Sequence, residues 1–358
     1  MQNERETSPL RRLGPRRAGS LSFMQHVRAK FRTRLGPGLR RGDVQWLIAA
    51  SSALATPAQA AEPTTYQRAL AAGYKALFLC EGLFTAGRTQ AEVEALELTG
   101  IYPDYQPLVS ALPATIDRGG AVTIAFDTSL PPRRADWLPR FGCTLAPIGA
   151  TASAFPPSIH GVHPSKVADS RAWPTGDKGI VPKPSRALAT VIGASFGDSY
   201  GAGARTTGVL IVRDGRVAAE RYAEGFGPFT ANRTWSVAKS LTGTLIGTAA
   251  LNFGVDPRRP AAVPEWTGQA DPRARITLDQ LLRMTSGLHS DSAGNRTDAL
   301  YMGATTVTQE ATHWPIEAAP GSRFRYANND TVLAVRAVRA TIGDDNVYRQ
   351  WPTQSLLF

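Results

Sequence analysis

The sequence predicts a mixed α+β (α/β) fold, and two observations carry this prediction. Apolar runs at Val209–Val212 and Val217–Tyr222 flank an Asp214-Gly215 pair. Because Asp-Gly favours the type I′ turn that suits the twist of paired strands, this stretch predicts a β-hairpin. The stretch from Trp235 to Phe253 is apolar or small on nearly every side and stops at Gly254, which predicts a buried α-helix.

Further helices are predicted around this pair of elements. Thr277-x-x-Gln280 forms a capping box for a helix that ends near Gly287. Inside the buried helix, Gly243 and Gly247 lower the helix propensity, so we expect another element to pack very close to the helix there. A strand pair, a buried helix and peripheral helices together indicate a mixed body.

The composition is that of a globular protein. The chain has 358 residues, of which 42% are hydrophobic, 8% aromatic and 19% charged. These proportions exclude collagen-like, disordered and coiled-coil classes. The formal net charge is +11, but residues 1–45 hold eleven Lys and Arg against three carboxylates, which is +8 of that total. The rest of the chain is nearly neutral, so we expect no nucleic-acid partner.

Residues 1–60 are predicted to be a basic leader and signal peptide. Trp46–Ala55 is a short apolar run behind Arg40-Arg41, and small residues lead to a cleavage site after Ala60. The run is too short for a good membrane span, so we expect a periplasmic or secreted protein with no stable span after cleavage. A twin-arginine signal is the alternative interpretation, although Gly42-Asp43 follows where such signals have apolar residues.

Cys80 and Cys143 are the two cysteines of the chain, and both follow the leader. An even number of cysteines in an exported chain predicts one disulfide, which would contribute about 4 kcal/mol by loop entropy. Two unrelated buried thiols are the alternative. Two cysteines alone cannot make a zinc site.

Three parts are predicted downstream of the leader. An accessory N-terminal region over residues 62–150 contains a predicted helix at Thr65–Leu79 and a predicted strand at Ala121–Phe126. Residues 151–185, rich in Pro, Gly and Ser, are predicted to be a linker or a surface loop. Residues 186–358 form the predicted main domain.

Ser236 and Lys239, at the start of the predicted buried helix, are candidate catalytic residues. A spacing of three puts the hydroxyl and the ammonium on one helix face. A serine becomes a nucleophile only when a base takes its proton, and a lysine can do so only when neutral. Lowering a lysine pKa from about 10.4 to near 7 costs about 4 kcal/mol, which burial and the positive end of the helix dipole are expected to supply. Alone, the Ser-x-x-Lys pattern often arises by chance.

Further segments follow the Ser-x-x-Lys pattern in order. Tyr326-Ala327-Asn328 is preceded by Pro320–Phe324, and Ile276–Leu288 lies between these segments and the serine. The combination resembles the serine β-lactamase and penicillin-binding superfamily, in particular its class C-like esterases and 6-aminohexanoate-dimer hydrolases. The resemblance covers about residues 205–345.

This resemblance implies a β-lactamase-like fold, an antiparallel sheet flanked by helices with a helical lobe. Ser236 would be the acylated nucleophile and Lys239 would take its proton. Tyr326 would relay protons to the leaving group and to the deacylating water, and Asn328 would hydrogen-bond the acyl amide or ester. The backbone N–H of Ser236 would give half of the oxyanion hole. The implied substrate is a small amide or ester, with no cofactor and no metal.

One departure from the family concerns its third motif. Lys-Thr-Gly or His-x-Gly stands on a core strand far beyond the tyrosine in the family, whereas Phe358 is the last residue of this sequence. Neither His289 nor His313 lies in the right place to substitute. We therefore expect a C-terminally truncated hydrolase whose buried helix lacks much of its cover. A non-catalytic binding protein of the same fold, or an inactive fragment, is the alternative.

Two weaker patterns point to other chemistry. Gly193-Ala194-Ser195-Phe196-Gly197 matches the nucleophile elbow of α/β-hydrolases, with Leu188–Ile192 as the strand before it, but glycines follow where a helix should open. His160 and His163 could hint at a metal, but a solvated loop is the favoured interpretation of their surroundings.

Overall fold

The computed structural model describes residues 62–139, 142–153, 169–180, 182–268, 270–290 and 297–356. The predicted leader, the His160 and His163 pair and much of the predicted linker lie outside the described residues. No helix in the described ranges has the length and apolar character that crossing a membrane needs.

The N-terminal region opens on helix α1, Thr65–Cys80. Its first turn carries a capping box, in which Thr64 and Gln67 each bond the other's backbone N–H, and this confirms the predicted helix. A π-helical turn follows directly. Two shorter helices come after this turn. The π-helical turn spans Glu81–Thr85, and the two helices are α2 at Gln90–Leu96 and α3 at Gln106–Ala111.

Four antiparallel strands follow in the order β1-β2-β3-β4. They are β1 at Ala114–Asp117, β2 at Ala121–Ile124, β3 at Arg133–Leu138 and β4 at Gly142–Leu145. The predicted strand is confirmed as β2 and ends two residues earlier than expected. Helix α1 packs across β2 and β3, so its apolar residues and the inner face of the sheet share one core.

A disulfide between Cys80 and Cys143 joins the end of α1 to β4, with 6.0 Å between the two Cα atoms. The predicted pairing is therefore present. Glu81, the residue after Cys80, accepts a hydrogen bond from the Cys143 backbone N–H at 2.8 Å. The covalent bond and the hydrogen bond together fasten the edge strand to the helix.

Buried Arg133 fastens this region internally and to a later segment of the chain. Its side chain is 1% exposed, and burial lowers its pKa to about 10. One guanidinium nitrogen donates to the Ala69 carbonyl at 3.0 Å. The other donates to the carbonyls of Ala146 at 3.0 Å and Met302 at 2.6 Å. Three backbone acceptors on different segments thus share one cation.

The hairpin forms as predicted, after a helix α4 at Arg186–Ala194. Strands β5, Gly208–Arg213, and β6, Arg216–Tyr222, pair antiparallel. The turn residues Asp214 and Gly215 have φ of 50° and 71°, as a type I′ turn requires. The confirmed fold class is therefore α+β with antiparallel sheets.

Helices build the rest of the described chain around a second apolar cluster, which includes Ile246, Leu281 and Leu333. Their bounds are α5 at Val237–Phe253, α6 at Leu278–Leu282, α7 at Asp298–Tyr301, α8 at Val307–Glu310, α9 at Asn328–Ile342 and α10 at Asp345–Ser355, with 3₁₀ turns at Asp198–Tyr200 and Pro272–Arg275. The predicted capping box is present at α6, but the helix stops well short of Gly287 because Met284 is left-handed, with φ of 56°.

Helix α5 is not buried on every side, and this prediction was wrong. It ends at left-handed Gly254 as expected, but Leu251 is 86% exposed. A Cβ at Gly243 or Gly247 would meet nothing within 4 Å, so the expected close approach is also absent from the described residues. The reason is that, among described elements, only α9 and α10 pack extensively against α5.

Candidate active site

Ser236 and Lys239 meet at the first turn of α5. Ser236 is the residue immediately before the helix, with φ −70° and ψ −4°. The Lys239 Nζ donates to the Ser236 Oγ at 2.9 Å. The spacing of three therefore places the two groups together, as the sequence predicted.

Tyr326 completes a three-residue cluster with these two side chains. The Lys239 Nζ lies 5.1 Å from the centre of its ring. The hydrogen bond with Ser236, followed by the bond and the charge of Lys239, lowers the pKa of Tyr326. A phenol that loses its proton more readily is present more often as the phenolate, which can accept a proton from a neighbour.

The cluster is more open to solvent than the sequence predicted. Ser236 is exposed, Lys239 is half-buried and Tyr326 is 39% exposed. The prediction that the start of this helix is buried and desolvated was therefore wrong. The physical reason is the cover of α5, which among the described residues comes mainly from α9 and α10.

A cavity of about 1150 Å³ opens in front of the cluster. Ser236, Lys239 and Asn328 all line it, and Asn328 is half-buried as the first residue of α9. The structure therefore brings the four sequence-predicted site residues into one neighbourhood. Their catalytic roles stay predictions.

The N-terminal region also lines this cavity, which the sequence did not predict. Phe78 of α1 and Tyr102 stand in its wall beside Trp235, the residue before the candidate nucleophile. In the sequence, only the position of Trp235, directly before Ser236, indicated that one of these rings could line the site. Phe78 and Tyr102 resemble ordinary core residues, so nothing in their local pattern indicated a site.

Glu97 connects the N-terminal region to the segment that leads into Ser236. Its carboxylate pairs with Arg88 at 2.7 Å and with Arg233 at 3.1 Å. Arg88 also donates to the Ala231 carbonyl at 3.2 Å and to the Asn232 side chain at 2.9 Å. We call Arg88, Glu97 and Arg233 the Glu97 clamp. It holds residues 231–233 against the N-terminal region.

Ser195 does not sit at a nucleophile elbow. Its proposed strand, Leu188–Ile192, is part of helix α4, which begins with Ser185 accepting a hydrogen bond from the Leu188 N–H. The Ser195 hydroxyl follows the end of that helix and donates to the Val191 carbonyl at 3.1 Å. The strand-turn-helix geometry that exposes an elbow serine is therefore missing at this position.

A buried carboxyl lies near the site, on α9. Asp330 is 2% exposed and accepts a hydrogen bond from the Ser286 hydroxyl at 2.9 Å. Burial raises its pKa to about 7, although the bonds from Ser286 oppose this. An unfolded Asp has a pKa near 3.9, so the folded protein holds this proton more tightly than the unfolded chain does.

This carboxyl predicts a loss of stability as the pH rises. Between pH 4 and pH 7 the folded state binds more protons at Asp330 than the unfolded state, so the free energy of unfolding falls with pH. We expect roughly 2 kcal/mol to be lost between pH 5.5 and pH 8 through this group. Urea unfolding of wild type and Asp330→Asn at several pH values measures it, because the amide variant should lack this slope.

Asp214→Asn is the matched control, since it makes the same chemical change at an exposed turn. It should keep the wild-type dependence of stability on pH. An unchanged slope in Asp330→Asn would show that the buried carboxyl does not titrate in this range.

Part of this chain matches a known protein family. Residues 195–353 match the family model described as Beta-lactamase. One solved structure, titled "Putative 6-aminohexanoate-dimer hydrolase from Bacillus anthracis", matches at 21% identity and a TM-score of 0.34, over 51% of this chain and 48% of that chain. The chain thus spans about half the length of that structure. No curated protein matches this chain. Residues 195–353, with the Ser236, Lys239 and Tyr326 motifs among them, form a domain of the serine β-lactamase and penicillin-binding superfamily.

Proposed function

We propose that this protein is a serine hydrolase that cleaves a small amide or ester through an acyl-enzyme on Ser236. The observation that carries the proposal is the three-residue cluster, in which the Lys239 Nζ lies 2.9 Å from the Ser236 Oγ and 5.1 Å from the centre of the Tyr326 ring. Membership in the superfamily supports hydrolysis in general, and the cluster supports this mechanism for it.

In the first half of the reaction, the Ser236 Oγ attacks the substrate carbonyl carbon while its proton passes to a basic neighbour. The Lys239 amine, 2.9 Å from the Oγ, is the first candidate for this role, and Tyr326, whose pKa is lowered, is the second. The carbonyl carbon then loses its amine or alcohol, which leaves with a proton from Tyr326. The product is an ester between Ser236 and the acyl group.

In the second half, a water molecule attacks this ester and gives its proton to the same basic pair. The acyl carbon leaves the Ser236 oxygen, which regains a proton, and the free acid departs. Asn328, which lines the cavity, would hydrogen-bond the acyl group during both halves. A periplasmic or secreted location is part of this proposal.

A fluorophosphonate probe tests the proposal directly. The full chain is treated with the probe and then digested, and mass spectrometry locates the adduct. We expect the adduct on the peptide that contains Ser236, and none in a sample that was denatured before treatment. An adduct on Ser195 would favour an α/β-hydrolase mechanism instead. Absence of any adduct would favour a binding protein that keeps the fold without the chemistry.

A further inference from the structure

We propose that two rings of the N-terminal region, together with Trp235, form a recognition wall for an uncharged aromatic ring of the substrate. The wall consists of Phe78, Tyr102 and Trp235, and we call it the aromatic wall. The inference rests on the proposed function, because it assigns the substrate class of the same site. It makes residues far from the catalytic domain in the sequence part of that site.

The three rings stand together beside the nucleophile. The Trp235 ring centre lies 6.1 Å from that of Phe78 and 6.3 Å from that of Tyr102, with the second pair nearly perpendicular. Trp235 is 50% exposed, and the other two rings are half-buried. All three line the cavity that Ser236 and Lys239 also line. An exposed aromatic surface in a cavity is a surface on which another ring can stack or pack edge-on.

The wall is held in place before any substrate arrives. Arg233 lies over the Phe78 ring at 4.1 Å and over the Trp235 ring at 4.5 Å. The same guanidinium pairs with Glu97 and donates to the Tyr74 hydroxyl at 3.3 Å. Trp235 also has a left-handed backbone, with φ of 45°, which a bulky residue adopts only where its surroundings enforce it. A preformed surface loses little freedom when a ligand binds.

The charges around the cavity favour an uncharged substrate. Three arginines line it, and each already pairs with a carboxylate of the chain: Arg233 with Glu97, Arg336 with Glu265 and Arg339 with Asp345. Lys239 bonds the nucleophile itself. An anionic group on the substrate would have to compete with these internal pairs, whereas a neutral ring needs only apolar contact.

The hydrolysis rates of three esters test whether the aromatic wall binds a ring of the substrate. The rates are measured by titrating the released acid with alkali. Ethyl acetate carries no ring, ethyl phenylacetate carries one on the acyl side, and benzyl acetate carries one on the leaving side. After correction for their rates in hydroxide alone, we expect at least one ring-bearing ester to exceed ethyl acetate about tenfold in kcat/KM. Tyr102→Ala should reduce this ratio of kcat/KM values severalfold. Phe78→Leu should also reduce it, and this variant provides the test if Tyr102→Ala fails to fold.

Tyr66→Ala is the control, because Tyr66 lies on α1, is exposed and is not part of the cavity wall. It should keep the wild-type ratio. Hydrolysis of all three esters without a preference for a ring, or a preference that both wall variants retain, would overturn the aromatic wall and leave the serine hydrolase proposal standing. No hydrolysis together with no adduct on Ser236 would overturn the proposed function and, with it, this inference.

Discussion

Replacement of Lys239 by methionine is expected to lower kcat/KM for ester hydrolysis by roughly 10³-fold to 10⁴-fold. Methionine keeps much of the length and apolar stem of lysine but has no amine to bond the Ser236 Oγ at 2.9 Å. The serine would lose its closest proton acceptor. Tyr326 would lose one of the groups that lower its pKa, so less of the phenolate would be present at neutral pH to act as a base.

Steady-state rates of wild type and Lys239→Met across pH 6 to 10 measure this effect. Lys239→Arg is the informative second variant. An arginine can still donate hydrogen bonds but stays protonated, so it should not restore the rate if the amine acts as a base. Lys178→Met makes the same change at an exposed position and should leave the rate unaltered. A Lys239→Met rate within tenfold of wild type would contradict the proposed role of the amine.

Replacement of Arg133 by methionine is expected to lower the free energy of unfolding by about 4 kcal/mol. The carbonyls of Ala69, Ala146 and Met302 would each lose a charge-assisted hydrogen bond at a buried position. A buried acceptor that loses its donor costs about 1–3 kcal/mol, and burial of the methionine stem offsets part of the sum. Because Met302 belongs to a later segment, contact between that segment and the N-terminal region should also weaken.

Urea unfolding of the two proteins gives this difference. Arg134→Met is the matched control, since Arg134 is the next residue of β3, is half-exposed and pairs with Asp136 at 2.7 Å. Partly exposed pairs of this kind contribute little, so the control should lose less than about 1 kcal/mol. Equal losses in both variants would mean that the three buried bonds do not provide the stability assigned to them.

Features with a local cause could be predicted from the sequence. Helix α1 follows from a capping box, and the β5-β6 hairpin follows from the Asp214-Gly215 turn. The Ser236 and Lys239 pair follows from one helical turn. Tyr326 and Asn328 were predicted from the resemblance to a family in which such motifs come in this order, and both lie within the residues that match its model.

Features that depend on distant partners could not be predicted. The exposure of α5 depends on which elements lie against it, and its own composition gives no information about them. Glu97 and Arg233 are separated by 136 residues, so neither identifies the other as a partner. Phe78 and Tyr102 reach the cavity only through the packing of the N-terminal region. The domain limits and the leader stay predictions.

The Glu97 clamp has a consequence for how this sequence can vary. One carboxylate there balances two guanidinium groups from separate segments. Its loss alone would leave two cations facing each other, whereas loss of one arginine at the same time would relieve that repulsion. Substitutions at positions 88, 97 and 233 are therefore epistatic, and homologous chains should exchange these three side chains in concert.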